Sequence, residues 1–592
     1  MRSVRARPVR GVLAVLACLV LAGGCANVPE ESQAEVVSGE RLGQPQPDIP
    51  EPDANLDALT AVRDFVTASA RPINEHAAAR VYLGPELRQS WEPGSTMTII
   101  ENRFNTRYVA EEEGPTAPTE TSANEKVVVV SGTQIGKLGH DSAFLAARDS
   151  FRQEITVRKQ GNGPWRIVDL PSTLVVTERD FAENYFRVPL YFFAPDTDAL
   201  VPDLRYVVAK PQSKLPGRVT DLLLEGPSDS LTGAVHNPLG DEAALDGAVS
   251  GQANGALLVP LTGVTGKSDE EKKRIAAQFV RSLQTVTSSR IRLLSDRTPL
   301  VPGQLDWRPS DLASYESSAS PSPDLQGLVT LNGAVRSLED GSPVRGPAGT
   351  GAYHAESGAQ SLGGNQLAIV ERLGEKARLR IGYLGEVAPP VDVEGKTLTR
   401  PTWWPNTDTN DTSGEVWTVV DGTRISRVVR DPSGGWVPQP VNAAELNALG
   451  PISGLRLSRD GTRAAVIAGG NLVVAAVVRS NGSVTLRSPR VLQAGTVENV
   501  VDVDWATQDM LVAATSSEST MVVRVPVDGL QMDKFNGSNL TAPVRAITAA
   551  PSRPIVVGDA SDELWTASGD IGEVWRPHDR PQGTGARPFY PG

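Results

Sequence analysis

Between residues 325 and 592 a short apolar run, a polar turn and a second apolar run recur five times in that order. The turns centre on Gly363-Gly364, on residues 405–414, on Arg459-Asp460-Gly461, on Ala506-Thr507-Gln508 and on Pro551-Ser552-Arg553. Their spacings of about 46, 51, 47 and 45 residues fall in the ~40–50-residue range of four-stranded propeller blades. Leu-Arg-Leu-Ser-Arg-Asp-Gly-Thr-Arg-Ala-Ala-Val-Ile (455–467) is the clearest copy. The next is Val-Asp-Val-Asp-Trp-Ala (501–506) with Asp-Met-Leu-Val-Ala-Ala (509–514). Such a unit buries its faces only against its neighbours, so the ring must nearly close to be stable. At about 47 residues each, this stretch holds five to six blades, with a sixth shared by both of its ends. A jelly roll or sandwich is the rival arrangement for the same strands.

The repeats occupy less than half of a 592-residue chain, and roughly 100–200 residues per domain implies three or four folded units in all. Hydrophobic residues at 40% and charged residues at 21% are enough to build cores. The net charge of −13 repels phosphate backbones, so nucleic acid is not an expected partner. Two cysteines and five histidines argue against a disulfide framework and a Cys/His zinc site.

The N-terminus reads as an export signal. Arg2, Arg5, Arg7 and Arg10 precede an apolar run over 12–22, too short for the ~20 residues a spanning helix needs. Leu21-Ala22-Gly23-Gly24-Cys25 then resembles the lipobox of bacterial lipoproteins, although Leu21 stands one place earlier than usual. The reading is removal of residues 1–24 by cleavage between Gly24 and Cys25, with lipid attached to the Cys25 thiol. Two or more acyl chains hold a protein durably on a bilayer. Residues 25–53 interleave Glu and Asp with Pro29, Pro45, Pro47, Pro50 and Pro52, a composition suited to an extended tether.

Two α+β units are expected before the propeller, over 54–180 and 185–305, with a linker at 306–324. In the first, Asn55 is placed as the cap of a helix carrying Leu59, Val62, Phe65 and Val66, and a shorter helix follows over 77–82. Strands are expected over 96–100, 107–111, 126–131, 153–158 and 165–170, with Trp165 in the core. Helices followed by an antiparallel sheet resemble the nuclear-transport-factor-like fold. In the second unit, strands are expected over 187–193, 205–209, 256–261 and 290–294. A helix around Val219 and Leu223 stops at Gly226-Pro227, and a long helix runs over 268–288. That order resembles the GerMN domain of spore-germination-type proteins.

Few residues offer chemistry. Gly263, Gly266-Lys267-Ser268 and a following helix suggest a phosphate loop, but its first glycine would fall on Leu261. Ser268 with Glu271 reads instead as a capping box. His76, His140, His236, His354 and His578 are dispersed, without ligand or triad spacing. Asp408 to Glu415 is oxygen-rich like a calcium loop, yet Ser413 stands where an EF-hand-type loop needs glycine; an ordinary loop is the plainer reading. Trp403-Trp404 is either a platform for sugar rings or one residue buried between blades beside a half-exposed one. Asp502 and Asp504 form an acidic pair, as in glycosidases or as in ordinary blades. No catalytic residue, metal site or cofactor is assigned.

The order of modules resembles the actinobacterial LpqB lipoprotein family, with Cys25-Ala26-Asn27-Val28-Pro29-Glu30, the stretch 193–202 and the glycine cluster 346–351 as its most telling segments. That resemblance implies a non-enzymatic lipoprotein on the outer face of the cytoplasmic membrane. It further implies a partner, the extracellular part of the sensor histidine kinase of the Mtr two-component system, and a role in cell-wall homeostasis and division. The alternative from another class is a protein that binds or modifies peptidoglycan through the propeller.

Overall fold

Asp57 starts the first helix. Its carboxylate accepts from Leu59 N at 2.9 Å and Thr60 N at 3.1 Å, so the helix Ala58–Ser69 is capped there rather than at the expected Asn55. The computed structural model describes Ile49 and residues 51–53, 55–94, 96–109, 124–161, 163–315, 320–405 and 414–592. Gly24 and Cys25, the expected cleavage and lipid-attachment residues, lie outside the described residues.

The first helix buries Val62, Phe65 and Val66 against a sheet of six strands. These are β1 (Met97–Ile100), β2 (Asn105–Tyr108), β3 (Glu125–Leu138), β4 (Phe144–Lys159), β5 (Trp165–Asp169) and β6 (Leu174–Thr177). Their order is β5-β4-β3-β1-β6, with β2 also on β3 and β1 parallel to β6. β3 and β4 run 14 and 16 residues, well beyond the apolar alternation that marked them in the sequence. Glu51 pins the chain's approach to this sheet, pairing with Arg166 at 3.0 Å and Arg88 at 3.3 Å.

A hairpin of β7 (Tyr185–Phe193) and β8 (Leu200–Val208) opens the second unit. The strands Ala256–Thr262 and Arg290–Ser295 pair in parallel, joined through the helix Asp269–Leu283, which ends short of the expected residue 288. Residues 306–315 were expected to be linker, but Trp307 and Leu312 are buried in this core and Trp307 bridges Ile291. An indole of that size stabilises by leaving water, and the chain follows it.

Five four-stranded antiparallel sheets follow in chain order. Their first strands are Ala355–Gln360, Thr402–Trp403, Ile452–Leu457, Val500–Trp505 and Ala546–Thr548. A sixth sheet joins Leu328–Leu331 and Ala334–Ser337 to the late strand Arg587–Phe589, with Leu328 opposite Phe589. Each first strand touches the next around a ring that this sixth sheet completes. Four of the polar turns read from the sequence, at 363–364, 459–461, 506–508 and 551–553, lie between first and second strands, and 406–413 of the remaining one lie outside the described residues; the sixth copy has no such turn because the chain is split there.

The three regions are packed on one another. Every residue of β8 up to Val207 is buried, because one side meets the second unit's core and the other meets the propeller. Across that contact Arg463 Nη2 donates to Pro202 O at 2.6 Å and Gln508 Nε2 to Leu200 O at 2.9 Å.

Candidate functional site

Polar groups converge at the propeller axis. Arg456 on the third sheet's first strand holds Asp502 at 3.1 Å, and Arg400 reaches Asp504 at 3.4 Å. Asp502 also accepts from Ile547 N at 3.1 Å, and Asp504 from Thr548 Oγ1 at 2.9 Å. Arg459 bridges Trp505 O and Ala549 O, both at 3.0 Å, and reaches Pro591 O at 3.3 Å. Burial pushes the Arg456 guanidinium down to about 10, with Arg400 adding to the shift, so it stays charged at neutral pH. Burial works to raise the Asp504 carboxyl, but Arg400, Arg459 and Arg456 outweigh it and hold the pKa below its usual value. A glycosidase general acid needs a proton at neutral pH, and Asp504 holds none. The acidic pair instead ties the fourth blade to the second, third and fifth.

The other sequence candidates are also absorbed by the fold. Ser268 Oγ accepts from Glu271 N at 3.3 Å while Glu271 accepts from Ser268 N at 3.0 Å, the reciprocal bonds of a capping box. Gly263 has φ +78°, and a Cβ there would meet Glu242 O at 2.1 Å. That glycine answers a backbone neighbour rather than a phosphate. His76 is buried with Nδ1 2.9 Å from Ser69 O, and burial lowers its pKa. His140, His236 and His354 are exposed and apart, and burial lowers the pKa of half-buried His578. Among the described residues no three His, Cys, Asp or Glu side chains gather as metal ligands.

Residues 406–413 of the oxygen-rich loop lie outside the described residues. Glu415, at its end, is buried and committed to Arg479 at 2.6 Å and Trp417 Nε1 at 2.6 Å. Trp403 is 3% exposed and donates to Ala359 O at 3.0 Å. Trp404 is half-buried, as the second reading of the pair had it. Its ring carries the Arg479 guanidinium at 3.5 Å and lies against Gly461, where φ is +76° and a Cβ would come within 2.5 Å. A sugar ring would have to displace that arginine. Trp165, expected in the core, sits at its edge with Lys126 Nζ 5.3 Å above the ring.

A groove of about 340 Å³ lies between the first and second units. Its walls include Met97, Leu138, Tyr185, Tyr206 and Leu222, with His76, Arg218 and Asp221 as polar members. Sequence reasoning missed this groove and the arginines of the axis. Arg400, Arg456 and Arg459 sit 56 and 3 residues apart, and only ring closure brings them to the same carboxylates.

Two family descriptions match the chain. "Lipoprotein LpqB beta-propeller domain" covers residues 332–591, and "Lipoprotein LpqB, N-terminal domain" covers residues 50–182. The protein named Lipoprotein LpqB from Rhodococcus opacus (strain B4) is 31% identical over 614 residues, spanning 100% of this chain and 99% of its own. The chain belongs to the LpqB lipoprotein family. The family's Nocardia farcinica (strain IFM 10152) protein is 31% identical over 100% of both chains. Its Mycobacterium tuberculosis (strain CDC 1551 / Oshkosh) counterpart is 28% identical over 96% of this chain and 97% of its own. The LpqB propeller match coincides with the six-sheet ring. Among solved structures, a functionally unknown protein from Desulfotomaculum acetoxidans matches with TM-score 0.30 and 12% identity, over 40% of this chain and 75% of that one.

Proposed function

We propose that this chain is a lipoprotein anchored through Cys25 on the outer face of the cytoplasmic membrane, where it binds the extracellular part of the sensor histidine kinase of the Mtr two-component system. Its first two units, 54–180 and 185–305, act as nuclear-transport-factor-like and GerMN-like docking modules beside the propeller. The observation that carries this reading is the match along the full chain to relatives named Lipoprotein LpqB. The packing of the three regions supports it further. Bonds such as Arg463 to Pro202 O make one preformed surface, and a preformed surface loses less entropy on docking than loosely strung modules do. Among the described residues no helix is long and apolar enough to cross a membrane.

A lipid anchor with a tether of 25–53 confines the folded part to a shell above the bilayer, which raises its effective concentration beside other membrane proteins. Binding then biases the kinase's signalling equilibrium by no more than its differential affinity for the two signalling states. The downstream effect is on cell-wall homeostasis and division.

The test is affinity capture from membranes with the lipidated full chain as bait, against Cys25→Ala as control. Recovery of the sensor kinase with the lipidated chain, reduced with the variant, supports the reading. Capture that recovers no sensor kinase, or retention on cell-wall fragments instead, overturns it.

A further inference from the structure

The groove between the first and second units is walled by apolar side chains from both. Met97, Leu138 and Leu174 come from the first unit, and Tyr185, Val207 and Leu222 from the second. The apolar surface runs on past the rim. Phe186 stands opposite Val207 in the β7–β8 hairpin, so the two side chains share a face, and Phe186 is 41% exposed. An apolar recess open to water gains by taking up an apolar ligand. Its volume of about 340 Å³ lies at the small end of the roughly 300–1,000 Å³ usual for ligand sites, which suits one hydrocarbon chain rather than a two-chain lipid.

The groups that could hold a head are uncharged. Tyr185 and Ser142 line the groove, and neither hydroxyl makes a hydrogen bond among the described residues. Burial pushes the Tyr185 phenol up to about 12, so it keeps its proton at neutral pH. His76 also lines the groove, and burial favours its neutral form. Its Nδ1 donates to Ser69 O at 2.9 Å, which leaves Nε2 as an acceptor with no partner among the described residues. Backbone that L residues rarely adopt presents two of these groups. Asn74, Glu75 and His76 run at φ +52°, +55° and +59°, and Ser142 at +61°. Such strain gathers at ligand clamps. At the rim, the helix Leu215–Glu225 brings one charge of each sign, three residues apart. The Arg218 guanidinium donates to Val208 O and Lys210 O, and burial opposes ionisation of Asp221. A charged head of either sign meets its like there, whereas a neutral head meets a balanced pair.

We propose that this groove binds a single-chain neutral amphiphile, with its hydrocarbon chain against Met97, Leu138 and Leu222 and its hydroxyl-bearing head at Tyr185, Ser142 and His76. The walls come from two units, so occupancy ties the first to the second. This goes beyond the docking role and does not depend on the kinase.

The full chain in phosphatidylcholine nanodiscs is the sample, free of detergent that would compete for the groove. It is photolabelled with a dodecanoyl monoglyceride carrying a diazirine in its chain, and the labelled residues are mapped by peptide mass. Dodecyl phosphate and dodecyltrimethylammonium with the same diazirine are the charged counterparts. The expected result is saturable labelling at 96–97, 138–142 or 218–222 that unlabelled monoglyceride removes. Half-saturation should weaken about tenfold or more in Leu222→Trp, whose indole fills the groove. The charged probes should label there about tenfold less, since a charge is costly to take out of water. Tyr185→Phe keeps the wall and loses the hydroxyl, so it should weaken binding about two- to tenfold, and it decides the matter if Leu222→Trp does not fold. Labelling that does not saturate or that falls elsewhere overturns the proposal, as does undiminished labelling of either folded variant or equal labelling by a charged probe.

Discussion

Tyr206 donates its hydroxyl to Asp528 at 2.8 Å across 322 residues of chain. The tyrosine stands on β8 of the second unit and the aspartate in the propeller, and both are buried. The Tyr206 ring also lies 6.5 Å from Phe144 and 5.1 Å from Phe181, side chains of the first unit's core. One side chain thus touches all three regions. Removing its hydroxyl strands a buried acceptor, so Tyr206→Phe should lower the unfolding free energy by about 1–3 kcal/mol in urea melts. An unchanged midpoint would mean the regions are held together elsewhere.

Burial raises the Asp528 pKa above its ordinary 3.8, against the lowering effect of Leu530 N and Tyr206. A carboxyl raised on folding binds its proton more tightly in the folded state. Stability from this group is therefore greatest below the unfolded pKa and declines as pH rises through the folded one. Asp528→Asn removes that titration. The stability of wild type minus that of the variant should fall from about pH 3.8 upward and then level off; a flat difference across pH 3–8 would contradict the assignment.

Asp203 and Arg205 pair at 2.8 Å with side chains 4% and 1% exposed. Losing one partner of such a pair leaves an uncompensated charge, costing about 3–5 kcal/mol. Arg205→Met should show a loss of that size, and Asp203→Leu combined with it should recover part, since two apolar side chains leave no orphaned ion. Denaturant titration of the three variants measures the coupling, and additivity would refute it.

What the sequence made legible follows from where the physics is local. The blade turns at 363–364, 459–461, 506–508 and 551–553, the helix stop before Gly226 and the Ser268–Glu271 cap depend on residues a few places apart. Their patterns lie open in the chain. β8 was harder: Pro202, Asp203 and Arg205 sit mid-strand, and the first two read as an edge or a turn, so a strand was expected only over 205–209. They are buried only because the propeller covers them and Ser228, Asp141 and Gly226 supply partners from distant segments. The axial arginines and Tyr206–Asp528 were invisible for the same reason, since nothing in a linear pattern says which faces of two units meet. Trp307 was misassigned because the Ser/Pro-rich stretch after it dominated the local composition.

Ser268→Ala should cost about 1 kcal/mol, the usual value of a lost cap. The Ser268 hydroxyl and then its backbone N–H lower the Glu271 pKa, so the cap's contribution is complete above the unfolded value of 4.5 and fades as pH falls through the folded one. The wild-type-minus-variant difference should shrink in acid. Equilibrium dialysis with ATP should show no retention by either protein; binding that Ser268→Ala abolishes would restore the phosphate-loop reading.

The ring depends on its last strand. Phe589 is 1% exposed, pairs with Leu328 and lies against Gly358 of the neighbouring sheet, where a Cβ would come within 3.1 Å of its ring. Truncating a buried phenylalanine costs about 3–5 kcal/mol, so Phe589→Ala should destabilise by that amount. The position of the loss is more telling than its size. Each sheet buries its faces only on its neighbours, so weakening the closing contact exposes two seams at once. Hydrogen exchange should quicken together in residues 328–337, 355–360 and 587–589. The strand Ile452–Leu457, opposite the closing sheet in the ring, should respond less because Arg456 still cross-links it to Asp502. Faster exchange confined to 587–589 would show that the sixth sheet does not close the ring.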